Sequence, residues 1–231
     1  MGAPEDLVIG IETPSLESTN ELMRQCDLVL ATGGGAMVSA AYSSGTPALG
    51  VGVGNAVITV DDTADLDAAA EKIRLSKTLD LAASCSSDNS VVLLDGIYEP
   101  MLEKLKAQGG YLCNEDEKAA LRNTLWDEEL HLNTAIVAQP PEKIAQMAGL
   151  NIPEETQFFI VSEAGWGPEH PFSGEKLSVI MALYRARDID HAIELTQNIQ
   201  AYQGQGHSCG IYSNNDENIM KLAENTYTSR V

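Results

Sequence analysis

Short apolar runs alternate along the chain with stretches whose apolar positions recur at helical spacing. The run at 6–12 predicts a strand. Thr13-Pro14 then predicts a helix start, a capping hydroxyl before a proline at the first helical position, with the helix running to about Gln25. A second strand is predicted at 27–32, closing on Gly33-Gly34-Gly35, with a helix at 36–42 behind it. Residues 47–55 read as a glycine-rich approach to a strand at 57–60. From 65 to about 81, Leu66, Ala69, Ala70 and Ile73 share one face of an amphipathic helix. Strands follow at 91–94, 157–161, 178–184 and 207–213, and helices at 98–107, 115–126, 141–148, 189–200 and 216–224. A Gly/Pro-rich loop at 165–171 is long enough to line a site. Strands alternating with helices in this way predict an α/β fold, an open and mostly parallel sheet with right-handed crossovers and flanking helices.

Composition narrows the class. At 231 residues the chain holds one large domain or two small ones. A formal charge of -20 argues against a nucleic-acid or anionic-membrane partner, which needs a basic face. It does not exclude a phosphate-bearing ligand, because free amides at a helix start hold phosphate without lysine. Cys26, Cys85, Cys113 and Cys209 are widely spaced, with neither a metal nor a disulfide signature, which suits a reducing compartment. No apolar run approaches the roughly 18 residues of a membrane span, and no signal-peptide pattern opens the chain. The expectation is a soluble cytoplasmic protein without a metal.

Two stretches carry candidate chemistry. Thr32-Gly33-Gly34-Gly35, between a strand and a helix, has the form of a phosphate cradle and equally that of a tight connection. Cys85 sits among Ala and Ser just before an apolar strand, with no bulky sequence neighbour over its sulfur. A thiolate there would be a nucleophile toward carbonyl carbon; a small buried packing residue is the other reading.

The motifs in order resemble the coenzyme A-acylating branch of the aldehyde dehydrogenase superfamily, over essentially the whole chain. The resemblance rests on Leu30-Ala-Thr-Gly-Gly-Gly-Ala-Met-Val38, Ala41-Tyr-Ser-Ser-Gly-Thr-Pro-Ala48 and Gly50-Val-Gly-Val-Gly-Asn55. It continues through Ser76-Lys77-Thr78 to Cys85 and Asn89-Ser90, then Leu132 to Val137, Glu175-Lys176-Leu177-Ser178 and Gly206-His207-Ser208. It implies a longer parent extending on both sides of this chain. Residues 1–56 then correspond to the carboxyl-terminal part of a Rossmann-like cofactor-binding domain, and 57–231 to the catalytic domain.

The same resemblance implies the activity. Cys85 would be the catalytic nucleophile, oxidising a short-chain aldehyde with NAD or NADP through an enzyme thioester that coenzyme A resolves to acyl-CoA. Acetaldehyde, propionaldehyde, sulfoacetaldehyde and succinic semialdehyde are the candidate substrates. Thr32, Gly33 and Gly34 would contact the dinucleotide pyrophosphate and Glu175 the nicotinamide ribose. His207 would orient coenzyme A or act on its thiol, with a histidine satisfied inside the fold as the other reading. The oxyanion would take the Cys85 N–H and an asparagine outside this chain. Hydrolytic members carry a water-activating glutamate in the segment matching 50–55, and none stands there here. Hydrolysis is therefore the disfavoured outcome, and a non-catalytic nucleotide-binding module is the rival from another class. The parent is expected to be a homo-oligomer, and the chain alone nearly inactive as a dehydrogenase. Lys77, Arg122, Arg185 and Arg187 are unranked candidates for gripping a charged substrate tail. Cys26, Cys113 and Cys209 read as packing residues, and His131, His170 and His191 as incidental.

Overall fold

The computed structural model describes residues 2–231, which form two compact units, 2–53 and 54–231.

In the first unit, helix α1 (Leu16–Gln25) starts after Ser15, whose hydroxyl accepts the Ser18 N–H at 3.0 Å. The Ser15 cap therefore sets the start, two residues beyond the expected Thr13-Pro14 signal. Strand β1 (Val29–Thr32) leads into α2 (Gly35–Ser43), and β2 (Ala48–Val51) pairs with β1 in parallel from Val29↔Ala48 to Thr32↔Val51. Met23, Val29, Ala31 and Ala41 form a small core with Ala48 against it. The apolar pattern does not show strand β2, because Gly50 in its middle suppresses the strand signal and only the neighbouring ladder reveals it. The run at 6–12 is the converse correction. Leu7, Val8 and Ile9 are exposed and no strand forms, because an extended run needs a ladder partner and none of the described strands offers one.

The second unit is built on a six-stranded parallel sheet of order β5-β6-β7-β4-β3-β8. Its strands are β3 (Ala56–Val60), β4 (Asp88–Leu94), β5 (Gly110–Leu112), β6 (Phe158–Ser162), β7 (Ile180–Ala186) and β8 (Cys209–Tyr212). Helix α3 (Leu66–Thr78) connects β3 to β4, and α4 (Tyr98–Ala107) connects β4 to β5. These crossovers travel the same way along the sheet, so right-handedness puts both helices on one face, where they pack together. The β7-to-β8 crossover travels the other way and carries α7 (Ile189–Tyr202) to the opposite face, against β3, β4 and β7. Helices α5 (Glu115–Leu125) and α6 (Pro141–Ala148) lie between β5 and β6, and α8 (Asp216–Asn225) packs on α7.

The main core joins Val57, Val91, Leu93, Phe159, Ile180 and Tyr184. Its centre is β4, buried on both faces between β3 and β7. That burial extends β4 back over Asp88, Asn89 and Ser90, polar residues the hydropathy pattern leaves outside the strand. Helix α3 likewise stops earlier than its apolar pattern suggests. Asp80, Leu81 and Ala82 take φ of 48°, 53° and 59°, a left-handed turn that redirects the chain toward Cys85.

No helix among the described residues is long and apolar enough to cross a membrane. All four cysteines are free. Cys113 and Cys209 are buried as expected, but Cys26 is exposed, because it caps the end of α1 where no further turn covers it.

Candidate active site

Four segments of the second unit converge at the amino ends of β7, β4, β3 and β8. They are the lead-ins carrying Glu175 and Lys176, Cys85, Gly54 and Asn55, and His207 and Ser208. Open parallel sheets commonly bind ligands at the carboxyl ends of their strands. Here the chemistry-bearing side chains gather at the other edge.

Cys85 is exposed, and its Sγ lies 3.3 Å from His207 Nε2. His207 Nδ1 lies 2.8 Å from the hydroxyl of buried Ser208, which fixes the ring's orientation. Burial, aided by the positive charge of Arg230, holds the His207 imidazole below its ordinary pKa. A neutral imidazole can accept a thiol proton, so the arrangement is a thiol with a proton acceptor in hydrogen-bond reach, the geometry that nucleophilic catalysis by cysteine requires. Among the described residues the Cys85 N–H donates to no protein acceptor and is free to meet a developing oxyanion.

Gly54 sits under this pair. A Cβ at that position would meet the Cys85 carbonyl oxygen at 2.5 Å, Cys85 Cβ at 2.8 Å and Glu175 Oε1 at 2.9 Å. The glycine is thus what lets the Cys85 loop and the Glu175 carboxylate close on one point. The Gly54 N–H donates to Glu175 Oε1 at 3.1 Å. Burial pushes the Glu175 carboxyl up to about 7, against the opposing pull of that N–H and of Lys176. The segment 50–55 contains no carboxylate, yet the fold brings one to it.

A buried polar frame holds these segments. Asn55 donates to the carbonyls of Ser173 at 2.7 Å and Gln203 at 3.0 Å. Asn89 donates to Asn55 Oδ1 at 2.5 Å and to the Gly174 carbonyl at 2.8 Å. Both Asn89 amide hydrogens are used, so Asn89 holds the frame and offers no donor to a substrate oxyanion. The Gln203 side chain accepts the Glu175 N–H at 2.9 Å. Gly204, at φ +90°, lies against Asn55, where a Cβ would come within 2.7 Å of the Asn55 nitrogen. Lys176 is fully buried, and burial lowers its pKa well below the ordinary range. Its Nζ donates to the carbonyls of Phe172 at 2.6 Å and Gly174 at 3.0 Å, two bonds that a neutral amine can supply.

The charged-tail candidates separate in space. Lys77 is sealed in the interior, where burial pushes its pKa down while nearby Asp88 is pushed up, each partly restrained by the other's charge. It is not placed to meet a substrate tail. Arg185 is paired with Asp95 at 2.9 Å and Glu99 at 3.1 Å. His170, read as incidental, contacts buried Glu163 at 3.3 Å, a carboxylate that Lys118 also reaches at 2.6 Å.

In the first unit, Thr32 is exposed at the end of β1 and Gly33 and Gly34 lead into α2. Helix α2 has no side-chain cap, and a Cβ on Gly34 or Gly35 would meet nothing within 4 Å. The helix start is therefore open to a phosphate at its free amides. An open cavity of about 370 Å3 lies beside it, lined by Met23, Cys26, Leu30, Thr32 and Met37 among others.

Cys85, Glu175 and His207, the residues expected from the sequence, lie at one place in the second unit. The frame of Asn55, Asn89, Lys176 and Gln203 is not marked along the chain in the same way. An asparagine closing a glycine run just before a strand was the available signal for the first of these.

No protein-family model matches the chain. A curated relative, the acylating sulfoacetaldehyde dehydrogenase of Cupriavidus necator, is 45% identical over all of this chain and 47% of its own length. An acetylating aldehyde dehydrogenase from Geobacillus thermoglucosidasius superposes with a TM-score of 0.94 at 38% identity, covering 99% of this chain and 51% of that one. Two further structures were solved with ligands, each 27% identical. Propionaldehyde dehydrogenase from Rhodopseudomonas palustris, with bound CoA and an acylated cysteine, has a TM-score of 0.86 over 96% of this chain and 51% of its own. An engineered glycolyl-CoA reductase with bound NADP+ has a TM-score of 0.88 over 99% and 52%. The chain spans about half the length of the curated relative described here.

Proposed function

We propose that this chain, a homologue of the coenzyme A-acylating aldehyde dehydrogenases over about half their length, carries the acyl-transfer centre of such an enzyme. The observation behind this reading is the Cys85 sulfur 3.3 Å from His207 Nε2, at an edge shared by four strands. The parent oxidises a short-chain aldehyde to acyl-CoA, with acetaldehyde, propionaldehyde, sulfoacetaldehyde and succinic semialdehyde as candidates. It works in the cytoplasm, where the four free thiols stay reduced, and as a homo-oligomer. In this reading residues 1–56 are the carboxyl-terminal part of a Rossmann-like cofactor-binding domain and 57–231 the catalytic domain.

In the proposed cycle, His207 takes the Cys85 proton and the thiolate adds to the aldehyde carbon, forming a thiohemiacetal. The Cys85 N–H supports the oxyanion, a donor typically worth a few kcal/mol of barrier. NAD or NADP, when bound, supplies the hydride acceptor. The open amides after Thr32, Gly33 and Gly34 suit its phosphates, and Glu175 is the proposed contact for ribose hydroxyls. Cys85 then carries the acyl group as a thioester. His207 releases its first proton to solvent, then takes the coenzyme A thiol proton, and the resulting thiolate attacks the acyl carbon. The imidazolium returns that proton to the departing Cys85 thiolate. Acyl-CoA leaves and Cys85 is restored.

A second reading has one observation in its favour. Glu175, with its pKa raised to about 7, stands beside Gly54 in the segment that lacks a carboxylate of its own. It could serve as a base for water, ending the cycle in free acid. Product identity decides. The parent protein, given each of the four aldehydes with NAD+ or NADP+ and coenzyme A, should release acyl-CoA and not free acid. Incubating this chain with propionyl-CoA should add one propionyl group, mapped to Cys85 by peptide mass spectrometry. Acylation elsewhere, or none, would sink the assignment.

A further inference from the structure

We propose that the segment 227–230 is a positioning element of the active site, fixing His207 against the Cys85 thiol through the hydroxyl of Ser229, with Thr228 bracing the segment. This rests on the reading of Cys85 and His207 given above. The segment runs alongside the lead-in to β8 as a short parallel strap, with a bridge at Gly206↔Thr228. Backbone bonds bracket His207 on both sides. Gly206 N–H donates to the Tyr227 carbonyl at 2.7 Å, Ser229 N–H to Gly206 at 3.1 Å, and Cys209 N–H to Arg230 at 3.0 Å.

Between them stands the His207 carbonyl, and the strap addresses it with a side chain. Ser229 Oγ donates to it at 2.6 Å, while Thr228 Oγ1, 3.3 Å from the same oxygen, has its nearer acceptor in the Arg230 carbonyl at 2.8 Å and braces the strap itself. Ser208 holds Nδ1 at 2.8 Å and is itself anchored through its carbonyl by Gln200 at 2.9 Å. His207 is thus gripped by its backbone from the strap and by its ring from Ser208. Nε2 is left toward sulfur. The strap also brings in Arg230, whose positive charge disfavours the imidazolium and keeps a proton acceptor at Nε2. A sheet ladder needs only backbone groups. A side-chain hydroxyl held at 2.6 Å on the carbonyl of His207, from a strap braced by Thr228, is therefore an addition the ladder does not require, and it points to a positioning role.

The test measures the rate of iodoacetamide alkylation at each cysteine of this chain by peptide mass spectrometry. Exposed Cys26 in the other unit serves as the internal reference, and buried Cys113 reports opening of the fold. In Thr228→Val/Ser229→Ala the Cys85 rate should fall about tenfold with Cys26 unchanged, since small misplacements of a catalytic group carry penalties of that size. Thr228→Val/Ser229→Thr, which restores one hydroxyl, should recover most of the rate. If His207→Ala slows Cys85 while the double variant does not, the positioning role is overturned and the base assignment stands. An unchanged Cys85 rate in His207→Ala removes the base assignment and the positioning role with it. Should the double variant expose Cys113, Ser229→Ala alone decides by the same criteria.

Discussion

Gly54 and Cys85 approach so closely that a single methyl group on Gly54 would lie 2.5 Å from the Cys85 carbonyl oxygen. Gly54→Ala must therefore push the nucleophile loop or Glu175 away. The expected result is a loss of roughly 1–3 kcal/mol of stability from overpacking, and propionylation of Cys85 reduced at least about tenfold by misplacement. Chemical denaturation and intact-mass acylation measure the two effects. Wild-type values in both would show that the loop has slack there.

Cys85→Ala should abolish acyl transfer from propionyl-CoA and leave melting nearly unchanged, because the side chain is exposed. Cys26, Cys113 and Cys209 changed singly to Ala should remain acylated at Cys85. The buried pair should lose about 1 kcal/mol or more through packing. Persisting acylation in Cys85→Ala would move the nucleophile elsewhere.

Glu175 makes stability depend on pH in a stated direction. Its ordinary value is 4.5 and burial raises it to about 7 in the folded chain. Below pH 4.5 it is protonated folded or unfolded, and above 7 it is charged in both. Between these limits the folded state holds the proton more tightly, so stability falls as pH rises. Glu175→Gln should thus match the wild type near pH 4 and exceed it at pH 8 by roughly 1 kcal/mol, a figure discounted for partial exposure. In the parent, the same change should alter the cofactor dependence of rate. A stability difference that does not vary with pH would show that the carboxylate is solvated.

The Asn55–Asn89 pair is expected to carry the frame. Asn89→Leu removes two buried bonds and leaves Asn55 Oδ1 and the Gly174 carbonyl without that donor. A loss of about 1–3 kcal/mol follows for groups stranded away from water. Hydrogen exchange should rise in the lead-ins to β3 and β7 before it rises in the strands. Exchange that is uniform across the sheet would separate Asn89 from the site.

The left-handed turn after α3 offers a stabilising change. Asp80 is exposed at φ 48°, and glycine adopts that conformation without the Cβ conflict. Asp80→Gly should stabilise by up to about 1 kcal/mol, read from the denaturation midpoint. A destabilised variant would mean that the Asp80 side chain contributes something the turn needs.

What could be read along the chain was whatever is local. Helix α4 falls where its apolar spacing places it, and α6 where Pro141 opens it and Gly149 closes it. The sequence signal for Cys85 was equally local, a sulfur among small residues ahead of an apolar strand. The start of β4 was not legible, because Asp88, Asn89 and Ser90 look like a loop until β3 and β7 enclose them. Strand β2 became visible only through its ladder to β1, and 6–12 fails as a strand for want of one.

Residue order by itself determined the alternation of strand and helix, the parallel sheet that follows from it, and the lack of bulky sequence neighbours around the Cys85 thiol. These depend on spacing and on side-chain size, which act between near neighbours. Tertiary structure alone decided that His207, 122 residues away from Cys85, comes within 3.3 Å of its sulfur. It also decided that Glu175, 121 residues from Gly54, brings a carboxylate to a segment without one. Lead-ins to four strands meet only when the sheet has set their order, β7-β4-β3-β8. That order is a property of long-range pairing, which no local window of the chain contains.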